Sequence, residues 1–240
     1  MSIQINNRQS AIDNRQFAMG FSLTEVLIAV GLLAVGMLFI AGAFPVSIHF
    51  TTVATERTIA PIVADEAFAK IKLYGGISYI STASNAEFAY PSTPTSDPNS
   101  KQYWWSAIFR SIDINDVQVT VFVSRRVGKN TAYYMRGSNS LVSSSRPVPV
   151  FVSVSAGGTA DELLINDPLV PSNFINDGYT ILDDTTGNIY RVLERYSASP
   201  NVIRLDKSWQ GVPSKVWVVP PPVNSGRYPC IGVYQKVMRF

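Results

Sequence analysis

One carboxylate stands at the edge of a long uncharged run. Glu25 is followed by Val26 to Ile48, VLIAVGLLAVGMLFIAGAFPVSI, 23 residues without a charge. An acid at the rim of such a stretch is expensive in lipid and needs a cationic partner or a function. Close to a helix N-terminus the helix dipole favours its negative form. Other chemistry-bearing residues are scarce. The 240 residues include one histidine, His49, and one cysteine, Cys230. Multi-histidine metal centres are thereby excluded, and no second histidine or lysine dyad can be singled out to activate one of the many serines. A lone cysteine excludes an intrachain disulfide and any cysteine-based zinc site. His49 falls at the end of the apolar run, where an interfacial or helix-packing role suffices, and Cys230 reads as a buried or half-buried thiol. Gly157-Gly158 lacks the lysine of a phosphate loop and reads as a turn. Trp104-Trp105 has the chemistry to stack a sugar or meet a partner, although such pairs more often fill a core or an interface. No active site is legible, so no enzyme, cofactor or metal is expected.

Composition narrows the class further. Hydrophobic residues make up 46%, enough for a buried core, whereas charged residues reach only 15%, below the roughly 25% usual for soluble domains. The net charge of +3 is mild, and no dense Lys/Arg cluster offers the basic face of a nucleic-acid reader.

The elements that position Glu25 begin with the apolar run, which is long enough to cross a bilayer as one helix. Ahead of it, residues 1–20 are polar and carry Arg8 and Arg15 against Asp13. A positive flank stays cytoplasmic, so the remainder of the chain is expected to face outward. A secretory signal ends in a small-residue cleavage site after its apolar stretch; here the helical pattern continues instead.

The junction itself, Met19-Gly20-Phe21-Ser22-Leu23-Thr24-Glu25-Val26, has a polar flank ending in glycine, a phenylalanine opening the apolar run, and a carboxylate four residues on. This resembles the N-terminus of type IV prepilins and of the related pseudopilins of type II secretion systems. Met19 precedes the glycine where the commonest pattern has Lys or Arg, and the basic charge sits farther back at Arg15. The resemblance covers about residues 1–50. It implies cleavage by a prepilin peptidase between Gly20 and Phe21, N-methylation of Phe21, and an assembly role for Glu25. The implied partners are the peptidase, other pilin or pseudopilin subunits, an inner-membrane assembly platform and the lipid bilayer. Physically, the new α-amine of Phe21 on one subunit can pair with Glu25 of a neighbour, which fixes axial register more than it stabilises. Some members of that family bind calcium; here Asp177, Asp183 and Asp184 lack EF-hand spacing, and turn formation accounts for them.

Past the membrane, Ile59, Val63, Ala67 and Ile71 recur at four-residue spacing, with Glu56, Arg57, Asp65, Glu66, Lys70 and Lys72 assigned to other faces. The pattern is an amphipathic helix. Counted over 21–74 the helix has 54 residues, about 80 Å at 1.5 Å per residue. Pro45 and Pro61 are expected to kink or melt it locally, and Gly75-Gly76 to end it. Gly31, Gly36 and Gly42 permit close helix approach, or are ordinary glycines of a membrane helix. Residues 81–101 read as a polar connector. Beyond it, Val117, Val119, Val121 and Val123 alternate as in a strand, and further strands are expected at 147–155, 179–182, 189–196, 202–205, 215–219 and 231–239.

The expected fold is α+β. A leader occupies 1–20, a long helix 21–74 (membrane part about 21–48), and a β-rich head 75–240 with a small β unit near 173–222. The expected function is that of a structural subunit, and a minor one, of a pilus-like or pseudopilus filament. It would be anchored in the bacterial inner membrane with its N-terminus cytoplasmic, then move into a filament in the periplasm or at the surface. The alternative is a membrane-anchored binding module or adhesin.

Overall fold

The computed structural model describes residues 21–83, 85–92, 100–128, 131–137, 140–171, 174–224 and 226–240. Residues 1–20, the expected leader with Gly20, lie outside the described residues. The chain divides into two compact units, residues 1–52 and 53–240.

Helix α1 spans Leu23–Tyr74. It runs as α-helix through Pro45 and Pro61, so neither proline melts it. Both prolines are exposed, and the single bond each one removes is small beside the many that remain. Gly75 and Gly76 close the helix: both N–H groups bond to the Ile71 carbonyl, at 3.2 and 3.0 Å. Their φ values of +87° and +69° belong to the left-handed region that terminates helices and favours glycine. A short helix α2 (Ile77–Thr82) and a 3-10 turn (Asn85–Phe88) follow.

In the larger unit a four-stranded antiparallel sheet comes next. It comprises β1 (Ala89–Tyr90), β2 (Tyr103–Ser111), β3 (Asp116–Arg125) and the last strand of the chain, which completes the order at one edge. A hairpin, β4 (Tyr133–Arg136) and β5 (Leu141–Ser144), leads into a closed barrel. The barrel strands are β6 (Val150–Ala156), β7 (Glu162–Ile165), β8 (Thr180–Asp183), β9 (Ile189–Arg195), β10 (Val202–Leu205) and β11 (Lys215–Val218), in the order 10-7-6-11-8-9. The chain then returns as β12 (Cys230–Arg239), antiparallel to β3.

Side-chain alternation explains the layering. Val119, Val121 and Val123 of β3 face the Ala60–Ile71 stripe of α1 and share a core with Trp104 and Trp105. The tandem tryptophans are buried core residues, and Trp105 meets Phe88 edge-on at 5.0 Å. Phe122, on the opposite face of β3, packs with Leu182 and Val219 against the barrel. β3 is therefore buried on both sides. The barrel interior is filled by Val152, Leu163, Ile181, Val192, Ile203 and Val216, and Phe174 and Ile175 join the same core. It takes in β6 and β7 as well as the strands between 173 and 222, because β7 pairs with β10 and β6 with β11.

The β4–β5 hairpin is tied to the barrel by one ion pair. Arg136 Nη1 donates to Asp167 Oδ2 at 2.5 Å and to the Phe151 carbonyl at 3.1 Å. The guanidinium lies 4.0 Å from the Phe151 ring centre. The Asp167 carboxylate also accepts the backbone N–H groups of Ser153 and Leu169. Burial pushes this carboxyl up, but Arg136 and the two amides outweigh it and hold it below the ordinary value of 3.8. A depressed carboxylate stabilises the fold fully above its unfolded value, and the contribution fades as pH falls through the folded one. Acidification below about pH 3.8 is thus expected to loosen the hairpin, seen as loss of amide-exchange protection at Tyr133–Arg136. Asp167→Asn should flatten that dependence; an unchanged acid response in Asp167→Asn would remove Asp167 from the explanation.

Candidate functional site

At the start of α1 the segment Ser22-Leu23-Thr24-Glu25 has the spacing of an N-cap followed by an acid at the third helical position. The structure uses it that way. Ser22 Oγ accepts the Glu25 N–H at 3.3 Å, and the Ser22 carbonyl accepts the N–H groups of Glu25 and Val26 at 3.0 and 3.1 Å. Ser22 Oγ and Thr24 Oγ1 are also bonded. Glu25 itself is exposed, and no cation among the described residues pairs with it. Phe21 is 81% exposed. Phe21 and Glu25 therefore stand one helical turn apart with neither side chain buried in this chain.

From Leu23 to Phe50 sixteen large apolar side chains are exposed. Burying each is worth roughly 1.5–3 kcal/mol, so leaving all of them in water would forfeit more than the about 5–15 kcal/mol that holds a typical domain together. This segment calls for an apolar surrounding. α1 is the one helix among the described residues long and apolar enough to cross a membrane. Beyond the helix's own backbone, a Cβ at Gly31, Gly36 or Gly42 would meet open space, so their lack of a side chain admits no close neighbour among the described residues. Thr51 and Thr52 at the end of the run bond back to the carbonyls of Ser47 and Ile48, both at 2.8 Å, which hides their hydroxyls along the helix. His49 is exposed beside Phe50.

In the larger unit the helix carries a buried charge where an outer face is expected. Glu56 is not on an outer face of α1: it is 7% exposed and in line with Ala60, Val63, Ala67 and Ile71. Its carboxylate bonds Arg125 at the end of β3 and accepts Arg227 Nη2 at 3.0 Å. Arg125 Nη2 also donates to the Tyr228 carbonyl at 3.3 Å. Burial lowers the Arg125 pKa from its ordinary value, with Glu56 pulling the other way. The seven-residue step from Glu56 to Val63 was the available signal, since it keeps a side chain on one helical face. Glu66 and Lys70 form the expected pair at 3.1 Å, and Ser92 bridges to both.

The three aspartates weighed for calcium each serve a local bond. Asp183 Oδ1 accepts the Thr185 N–H at 2.9 Å, Asp184 Oδ1 the Trp217 indole N–H at 2.6 Å, and Asp177 Oδ1 the Arg195 N–H at 2.7 Å. No group of three metal-ligating side chains occurs among the described residues. Cys230 is partly buried near Tyr228, and burial of its thiol pushes the pKa up to about 12, which leaves little reactive thiolate at neutral pH.

No family model matches this chain, and no curated protein or solved structure matches it either.

Proposed function

We propose that this chain is a pilin-like structural subunit, a minor one, of a type IV pilus-like or type II secretion pseudopilus filament. The observation that carries the reading is the first half of α1. It is an exposed apolar helix interrupted by one carboxylate, Glu25, in its first turn. A membrane anchor needs the apolar helix but has no use for the acid, whereas a helix packed among identical helices can pair that acid with a neighbour's α-amine. In the proposed sequence of events the chain enters the inner membrane with residues 1–20 cytoplasmic, as Arg8 and Arg15 favour. Prepilin peptidase cuts after Gly20 and the new amine of Phe21 is methylated. An assembly platform then draws the helix out of the bilayer into a bundle of like helices, carrying residues 53–240 outward into the periplasm or to the surface. The β-rich unit performs no chemistry in this account.

Processing is the direct test. Intact-mass measurement on protein extracted from membranes of cells with an active prepilin peptidase should give a chain that begins at Phe21 and carries one added methyl group. A terminus at Met1 would move the reading to a membrane-anchored binding module.

A further inference from the structure

The sheet of the larger unit ends in a long open edge. β12 is the outermost strand of the order 1-2-3-12 and pairs with β3 over its whole length. The Phe240 N–H bonds the Asn115 carbonyl, and the Ile112 N–H bonds the Asp116 carbonyl on the β2 side. Antiparallel ladders alternate bonded and non-bonded pairs, so Tyr234, Lys236 and Met238 direct their backbone groups to β3. Gln235, Val237 and Arg239 direct theirs away from it. No acceptor among the described residues meets those three outward N–H groups.

Beside this edge runs a groove of about 270 Å³ between α1 and β12, lined by Asp65, Phe68, Lys72, Lys236, Val237 and Arg239, among others. Its apolar part includes Phe68 and Met238. Its charge is Lys72 and Lys236 against Asp65; Lys236 Nζ lies 6.0 Å from the Phe68 ring centre, and Arg239, paired across the strands with Asp116 on the other face of the sheet, adds a further cation at the edge with a side chain 79% exposed. Open edges of this length invite pairing, and positive charge along them discourages an identical partner. A second copy joined edge to edge would bring two sets of these positive charges close together along one short ladder. An extended segment bearing carboxylates meets both the open backbone groups and the cations.

We propose that the outer edge of β12 and its cationic groove bind an extended acidic segment of another protein by strand addition, with main-chain bonds giving affinity and the lysines selecting acid. The site does not depend on the filament reading, because every residue in it belongs to the larger unit.

The test uses the full chain in lipid nanodiscs and a labelled heptapeptide of alternating glutamate and valine, with a lysine–valine heptapeptide as its opposite. The acidic peptide should bind, as measured by anisotropy, at least tenfold tighter than the basic one, and it should slow amide exchange at Val237 and Arg239. Lys72→Glu combined with Lys236→Glu, both at exposed positions, should weaken binding at least tenfold. Val237→Pro removes one outward donor at an edge position where proline is tolerated, and it should weaken binding similarly. If Val237→Pro lowers the melting temperature, the charge variant and the exchange pattern decide alone. No binding at about 1 mM, equal binding of both peptides, or binding without protection of those two amides would overturn the proposal. So would amides already protected by self-association.

Discussion

Replacing Glu56 with leucine is expected to destabilise the larger unit by about 3–5 kcal/mol, the cost of leaving a buried charge without its partner. The stranded group is Arg125, whose side chain is 8% exposed and whose remaining contact is the long bond to the Tyr228 carbonyl. Arg227 is 42% exposed on its side chain and can turn to water. Arg227→Ala should accordingly cost no more than about 1 kcal/mol, as partly exposed pairs do. Removing both buried charges tests the explanation from the other side. Glu56→Leu with Arg125→Met should recover most of the loss, because apolar replacement of a buried pair is often neutral or stabilising. Thermal or denaturant unfolding of the full chain in nanodiscs reads all three variants. At about 2–4 °C per kcal/mol for a unit of this size, the single change should lower the melting temperature by roughly 6 °C or more. A Glu56→Leu protein within about 0.5 kcal/mol of the parent would show that the cluster is incidental. The cluster also sets the orientation of the α1 face on the sheet, since a carboxylate bridging two guanidinium groups tolerates little rotation of the helix.

Much of this arrangement was legible before the structure. The uncharged run and the Ile59–Ile71 repeat describe α1, and the alternation of Val117 to Val123 describes β3. The strands from β8 to β12 fall within a residue or two of their expected places because each is a short run with β-branched or aromatic residues bounded by turn residues. Other elements left no periodic trace. β2 opens with Tyr103, Trp104 and Trp105 all buried, and three consecutive large aromatics show no alternation. β7 is four residues, Glu162–Ile165, between turn-forming neighbours, and β4 and β5 flank a serine-rich passage. Barrel closure depends on β7 meeting β10 and β6 meeting β11, pairings between distant segments that no local pattern encodes. At Glu56 the charge argues for an outer face, whereas the spacing from Val63 points inward, and the spacing prevails. At the helix start the reverse holds: Ser22 and Glu25 stand at capping distance in the sequence and cap the helix in the structure. Glu25 itself is exposed and has no cationic partner among the described residues.

The proposed pairing of Glu25 with a neighbour's α-amine is what would separate a filament subunit from an anchor. In a single subunit the exposed carboxylate of Glu25 can reach the lipid interface, so its loss should leave insertion unchanged. In a bundle of like helices the same group is enclosed, and deleting it strands the α-amine of a neighbouring Phe21. A penalty of about 3–5 kcal/mol accompanies the breaking of a buried pair, and half of it already shifts an assembly equilibrium more than tenfold, since about 1.4 kcal/mol is one decade. Glu25→Gln keeps the shape without the charge, and Glu25→Leu removes both. The decisive measurement compares membrane-bound and sheared-filament fractions of Glu25→Leu in cells that carry the assembly machinery, with cleavage followed by mass. The account predicts normal insertion, normal processing after Gly20, and filament incorporation reduced more than tenfold. Incorporation of Glu25→Leu at the parent level would contradict it and leave a membrane-anchored binding module as the better description.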